Sequence, residues 1–434
     1  MSVVLLLVVY SLFRVLNSNI IYDGIKIDEF NVSNMTEKEA LKFLNRNMEK
    51  LKKRNIRLTY NDKKYIYSIE DLGFEFLYEE AVNEAYQIGR TGNIINRLIN
   101  IIKVKLNGRE IKLQLSCNRD KILKIVESIS DDIHIEAKDA KFHFNNGHIH
   151  IEDEVVGKSV DKEELINRII GNIKSDNIYG IDEIEIPVIN IIPKISKDLL
   201  SRINGIIGEY STSFLGSSKN RIENIKLSAK AIKGKMLLPG ESISFNETTG
   251  PIRKEYGYKD AKVIIGGKYT SGIGGGVCQT STTLYNALLL AGVTILERSP
   301  HSIPPAYVGF GHDAAVAENL LDLKFRNDFE YPIYIDTEVK NNRIYVYIYG
   351  DTSERDYTVK VESKITEVIK AKEEIVVDEK LKPGVKLLVQ EGRNGYKVKT
   401  YRYIIKNGTI VDKELISDDY YREMNYIYKV GKIQ

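Results

Sequence analysis

Apolar and polar positions in the first 200 residues follow one rhythm twice. From Thr36 to Leu51, the side chains of Leu41, Leu44, Met48 and Leu51 share one helical face, and Thr36 with Glu39 has capping-box spacing, which predicts a helix. From Arg57 to Arg90 the pattern alternates as two strands around an Asn61-Asp62 turn, passes Gly73, and returns to helical spacing. Residues Lys141 to Ile169 repeat that order. Aligned without gaps, Tyr60 faces Phe144, Asn61 faces Asn145, Gly73 faces Gly157, and Glu79-Glu80 face Glu163-Glu164. The stretch from about 25 to 193 is therefore a tandem duplication. Each copy is expected to be helix, hairpin, helix and a closing strand, Arg109 to Ser116 in one and Ile181 to Ile191 in the other.

Past Ile207 the texture changes, with glycine-rich turns interrupting short strands as far as Gly350. Within this region Leu284, Ala287, Leu288 and Ala291 recur at helical spacing and Gly292 supplies a C-terminal cap, so a helix should begin near Cys278. "DTSERD", Asp351 to Asp356, reads as a hinge before a final alternating module whose Asn407-Gly408 is a hairpin turn. At the other end, Ser2 to Phe13 is an uncharged apolar run, read as a signal-anchor that places the remainder outside the cytoplasmic membrane. The fold class expected is α+β multidomain. Its parts are an anchor at 1–21, α+β modules at 22–110 and 111–200, a mixed α/β domain at 207–350 with short strands and one helix after the cysteine, and a small all-β module at 356–432.

Charge excludes one class of function. Lys plus Arg number 63 against 60 for Asp plus Glu, a net charge of +3, and no basic block marks a nucleic-acid footprint. His143, His148 and His150 lie on one strand face opposite Phe142, Phe144, Ile149 and Ile151, and without an accompanying carboxylate or cysteine at ligand spacing they read as a solvated face.

The candidate chemistry centres on "GIGGGVCQTSTTLYNALLLAG", Gly272 to Gly292. A cysteine at a helix N-terminus meets unsatisfied N–H groups and the positive end of the dipole, both of which favour its thiolate. The preceding glycines permit positive φ and close approach by a substrate carbonyl, so the N–H groups of Gly276, Val277, Cys278 and Gln279 are candidate oxyanion donors. Downstream, "ERSPHSIPPAYVGFGHDAAV" supplies His301, His312 and Asp313, and cysteine, histidine and carboxylate together suffice for acyl transfer. Spacing alone leaves a structural glycine-cysteine turn equally open. Arg298 is a candidate clamp for a substrate carboxylate or a structural ion pair. A metal site from Cys278, His301, His312 and Asp313 matches no compact ligand spacing, and neither metal nor cofactor is expected.

The run from Gly250 to Ser302, with "DAAV" and "LDLKFRND" after it, resembles the VanW domain across about 207 to 350. The duplicated segment resembles the YoaR-like peptidoglycan-binding repeat, and the C-terminal module, with Gly384, Gly392, Gly395, Gly408 and Gly431, resembles the small wall-associated domain named for its five glycines. The VanW resemblance implies catalytic roles for Cys278, His301 and Asp313, whereas His312 stands where the family pattern asks for no histidine; it remains the weaker alternative to His301 as base and, beside Arg298, a substrate-side candidate. "YVGFG" and "DAAV" depart from the family's usual motifs without removing an acid or base. What this implies is a cell-wall L,D-transpeptidase forming 3-3 cross-links through a cysteine acyl-enzyme, with peptidoglycan and the cytoplasmic membrane as partners. Two alternatives stand beside it: a non-catalytic peptidoglycan-binding or glycopeptide-resistance accessory protein, and a Cys-His wall peptidase or carboxypeptidase.

Overall fold

The computed structural model describes residues 2–145, 147–174, 183–265, 268–353 and 355–432. It is an α+β multidomain protein of two compact units, Met1–Lys138 with Val155–Lys194, and Asp139–Glu154 with Ile195–Gln434.

In the first unit the capping box forms as its spacing predicts: the Thr36 side chain accepts from the Glu39 N–H, and the Glu39 carboxylate accepts from the Thr36 N–H. The helix it starts, Glu37–Lys52, buries Ala40, Leu44 and Met48. Strand Ile25–Ile27 pairs in parallel with Arg109–Ile111, and their inward side chains join Leu44, Val82, Ala85 and Val104 in one core. A second core draws Ile56 and Leu58 from the hairpin Asn55–Tyr60 and Lys63–Ser68 against Ile122, Val126 and Ile129 of helix Arg119–Ile133 and Leu165 and Ile169 of helix Lys162–Lys174. Strand Glu183–Glu185 then adds in parallel to this hairpin. Ile181 and Asp182, expected to open the second closing strand, lie outside the described residues. The first copy's hairpin is thus buried by the second copy's helices.

The second copy's hairpin, Lys141–Asn145 and His148–Glu152, belongs to the second unit. Its apolar side chains Phe142, Phe144, Ile149 and Ile151 pack with Tyr334 and Tyr349, with ring centroids 4.9 Å apart for Phe142–Tyr334 and for Phe144–Tyr349. A two-stranded hairpin is marginal alone and needs a cover for its apolar face. Each hairpin therefore finds that cover in the module that follows it in the chain, which a repeat boundary drawn from the alignment does not anticipate. The three histidines occupy the exposed face, and among the described residues no cluster of three or more His, Cys, Asp or Glu side chains is placed to hold a metal.

The second unit is built on an antiparallel sheet in the order Gly205–Ser213, Arg343–Gly350, Ile333–Lys340, Lys235–Leu237. Helix Val277–Ala291 packs on the first two strands and helix Lys219–Ile232 on the third. Gly208 lets the first contact close: a Cβ there would sit 2.5 Å from the Ala287 carbonyl oxygen. The C-terminal module is all-β, with Tyr357–Ile369, Gly395–Lys406 and Thr409–Tyr421 in one antiparallel sheet. Asn407 and Gly408 both take positive φ, 50° and 77°, in the expected hairpin turn. The expected hinge at Asp351 is instead tied down. The Asp351 carboxylate is buried and accepts from Arg202, Asn204 and Ser353, while Arg355 donates to the Ile207 and Leu290 carbonyls.

The single-pass membrane assignment is corrected. The N-terminal run forms one helix, Ser2–Leu16, of 15 residues. At 1.5 Å per residue that is about 22 Å, against roughly 30 Å of bilayer hydrocarbon. Among the described residues no helix is long and apolar enough to cross a membrane.

Candidate active site

Helix Val277–Ala291 begins at Gly276, whose φ of 116° excludes a side chain from the turn. The glycines here serve packing within the chain: a Cβ on Gly275 would stand 2.6 Å from the Lys262 carbonyl oxygen, and one on Gly276 2.9 Å from that of Arg221. The first turns are polar yet buried, because each side chain has a partner on an adjoining element. Gln279 donates to the Ser213 carbonyl and Thr212 hydroxyl, Thr280 pairs with Ser228 at 2.7 Å, Ser281 donates to the Ala314 carbonyl at 2.7 Å, and Thr283 pairs with Thr212. The Ser281 bond, with one from the Ala314 N–H to Thr282 Oγ1 at 3.0 Å, ties the segment Asp313–Val316 alongside the helix, where the half-buried Cys278 thiol donates to the Val316 carbonyl at 3.4 Å.

Cys278, His301 and Asp313 are brought together. The His301 imidazole is hydrogen-bonded to the thiol. Its Nδ1 lies 2.6 Å from Asp313 Oδ2, which also accepts from the His301 N–H at 2.6 Å. This is the orientation a base needs, with one ring nitrogen on the nucleophile and the other on a carboxylate. Burial alone pushes the thiol pKa up, but the hydrogen bond and charge of His301 outweigh it and leave Cys278 below the ordinary thiol range. Burial likewise pulls His301 down, and its bonds to Asp313 and Cys278 reverse that, raising it to about 9. Asp313, despite burial, is held below the usual carboxylate range by His301 and Arg298. The opposed shifts favour the thiolate and imidazolium form of the pair.

The oxyanion donors are fewer than the sequence suggests. The Val277 N–H is spent on the Gly274 carbonyl and the Gln279 N–H on that of Gly276. The Cys278 N–H, in the helix's first turn, is the remaining candidate nearest the thiol.

Arg298 and His312 do not line the cavity beside the thiol. The Arg298 side chain is 5% exposed and committed to the interior: Nε donates to the Asp313 carbonyl, one terminal nitrogen to Asp313 Oδ1, the other to Asp419. It is the structural ion pair of the two readings, and it holds Asp313. His312 places Nδ1 2.8 Å from Asn286 Oδ1, away from the nucleophile.

Several site residues escape the sequence analysis. Tyr421, on the last long strand of the C-terminal module, donates from its hydroxyl to Asp313 Oδ1 and accepts from the Gly311 N–H at 2.8 Å. Phe310 packs against Tyr396, tilted, and against Tyr421, edge-on, at centroid distances of 4.6 and 5.3 Å. "ISDDYY" carried the signal: alternation sets Asp419 and Tyr421 on one face, and both are buried. Arg221 lines the cavity with no motif to announce it, and Tyr307, the first residue of "YVGFG", lines it as well. The cavity is about 690 Å³, and its wall runs past Cys278 and His301 to Ile252, Val263 and Glu318.

Residues 220–349 match the family described as "VanW like protein". The chain carries a VanW-like domain. Residues 65–181 match "Putative peptidoglycan binding domain" and 360–432 match "G5 domain". Among curated proteins the chain is similar to YoaR of Bacillus subtilis, 39% identical over 172 residues, covering 39% of this chain and 57% of YoaR. It is also similar to the vancomycin B-type resistance protein VanW of Enterococcus faecalis, 33% identical over 138 residues, covering 31% of this chain and 50% of that protein. The chain thus spans little more than half the length of these relatives. Among solved structures, the G5 region of HP0197 aligns with 17% of this chain and 97% of its own at 33% identity and a TM-score of 0.13. The G5 domain of an IgA1 protease aligns with 19% and 99% at 24% identity and a TM-score of 0.16.

Proposed function

We propose that this peptidoglycan-binding, VanW-like protein catalyses acyl transfer on peptidoglycan stem peptides, as an L,D-transpeptidase at the cell wall. The observation that carries the proposal is the row Cys278, His301, Asp313 bordering a cavity of about 690 Å³. The Cys278 thiolate attacks the carbonyl carbon of the third stem residue, and the tetrahedral oxyanion meets the Cys278 N–H. Collapse breaks the peptide bond, and His301 gives its proton to the departing D-alanine amine. A thioester is left on Cys278. The side-chain amine of a neighbouring stem then attacks the thioester, His301 takes its proton, and the new amide releases the thiolate. Water in place of that amine yields the carboxypeptidase outcome.

The sequence matches favour a second reading, peptidoglycan binding without chemistry, as in an accessory to glycopeptide resistance. Incubating the purified protein with sacculi and resolving the muropeptides by mass spectrometry separates the readings. Cross-linked dimers lost in Cys278→Ala support transpeptidation, shortened stems support hydrolysis, and unchanged muropeptides on protein-bound sacculi leave binding as the function.

A further inference from the structure

With Arg298 committed to Asp313, one other guanidinium is placed to meet an anion at the nucleophile. Arg221 follows the cap residue Ser218 in the first turn of helix Lys219–Ile232 and lines the same cavity as Cys278 and His301. Its side-chain stem passes the bare face of Gly276, where a Cβ would stand 3.1 Å from Arg221 Cγ. One terminal nitrogen is fixed, donating to Gln279 Oε1 at 2.7 Å and to Ser217 Oγ at 3.2 Å. The guanidinium carbon lies 5.8 Å from the centre of the Tyr307 ring, another cavity wall. Among the described residues Arg221 has no carboxylate partner. Burial pushes its pKa down, with only Tyr307 and Cys278 opposing. A half-buried cation without a carboxylate partner is costly, and a ligand carboxylate would offset that cost. Glu318, also on the wall, is already paired with Arg253 at 2.9 Å.

We propose that Arg221 is the carboxylate anchor of this cavity, binding the free C-terminal carboxylate of a short peptide so that its last peptide bond lies at Cys278. Gln279 and Ser217 hold the guanidinium by one nitrogen, which leaves its other donors for a planar carboxylate. The inference rests on the acyl-transfer reading and deepens it: the donor is a peptide with an uncapped terminus, and internal bonds of a chain lack the anion this subsite takes.

Binding to full-length Cys278→Ala, measured calorimetrically, tests this without requiring turnover. The probes are a synthetic stem tetrapeptide ending in D-alanine and the same peptide with a C-terminal amide. The acid should bind about tenfold or more tighter than the amide, since charge-assisted bonds are the strong ones. Adding Arg221→Gln should erase that preference, while Arg221→Lys should keep part of it. Equal affinity for acid and amide, or no binding of either, overturns the anchor. If the preference is present but wild-type protein with both cysteines reduced forms no product from the acid, the anchor stands and the catalytic reading fails.

Discussion

The phenol of Tyr421 donates to Asp313 Oδ1, across 108 positions of sequence, and so joins the C-terminal module to the carboxylate that orients His301. Asp419, two residues earlier on the same strand, holds Arg298, which itself grips Asp313. The C-terminal module is therefore part of the support of the site as well as a candidate wall-binding element. Tyr421→Phe removes one hydrogen bond to a buried carboxylate, a loss of about 1.5–3 kcal/mol. We expect the unfolding free energy to fall by that order and the alkylation of Cys278 at pH 7 to slow, because Asp313 holds its charge less well and supports the imidazolium less. Unaltered alkylation in a folded Tyr421→Phe variant would show that Asp313 is positioned without it.

His312→Ala serves as the contrast to His301→Ala. His312 bonds Asn286 through Nδ1, and its carbonyl accepts from Asn286 Nδ2 at 2.7 Å, so its ring anchors a loop. Its loss should cost roughly 1 kcal/mol of stability and leave thiol reactivity nearly intact. His301→Ala should be as damaging to product formation as Cys278→Ala, and the double variant no worse, since members of one catalytic unit are not additive. The measurement is product formation beside thermal unfolding for each variant.

The second hairpin yields a prediction about fragments. Phe142 and Phe144 are sheltered by Tyr334 and Tyr349, which lie far along the chain in the second unit. A fragment ending at residue 200 leaves that apolar face uncovered. It should bind a hydrophobic dye and self-associate in sedimentation experiments, whereas Phe142→Ser with Phe144→Ser in the fragment should restore a monomer. A monomeric, dye-silent parent fragment would show that the hairpin finds another cover.

That hairpin also marks where the sequence stops being legible. Local signals read correctly because they depend on neighbours a few residues away: the Thr36–Glu39 box, the Asn407-Gly408 turn and the helix opening at Cys278. His301, His312 and Asp313 stand out as candidates downstream of the cysteine, the resemblance prefers His301 to His312, and geometry joins His301 and Asp313 to the thiol. What covers an alternating strand is settled by distant residues, so neither the placement of Phe142 on Tyr334 nor that of Tyr421 on Asp313 follows from spacing. Arg298 and Arg221 illustrate the same limit. Both are arginines near the motif in space, and only the buried carboxylates Asp313 and Asp419 around one of them determine which is structural.

The pH dependence of the site follows from the opposed shifts of its two groups. His301, raised to about 9, is an imidazolium at neutral pH, and burial, which pushes the Cys278 thiol up, is outweighed by the hydrogen bond and charge of that imidazolium, so Cys278 ionises below the ordinary thiol range. The two protons belong to a coupled pair, so the profile reports the pair. Alkylation by iodoacetamide should rise with pH through a midpoint below the free-thiol value of about 8.5. Product formation should share that acid limb, then fall as pH rises through about 9, where His301 gives up the proton the leaving amine needs. His301→Ala removes the hydrogen bond and charge that overcame burial, so the alkylation midpoint must move up. The stability linkage has the same sign: a raised histidine contributes stability fully present below its unfolded value of about 6.5, and that contribution is lost as pH rises through about 9. In His301→Ala that alkaline loss should be absent from the unfolding curves. A wild-type alkylation midpoint at or above the free-thiol value, or one that His301→Ala leaves in place, would show that the imidazolium does not hold the thiolate.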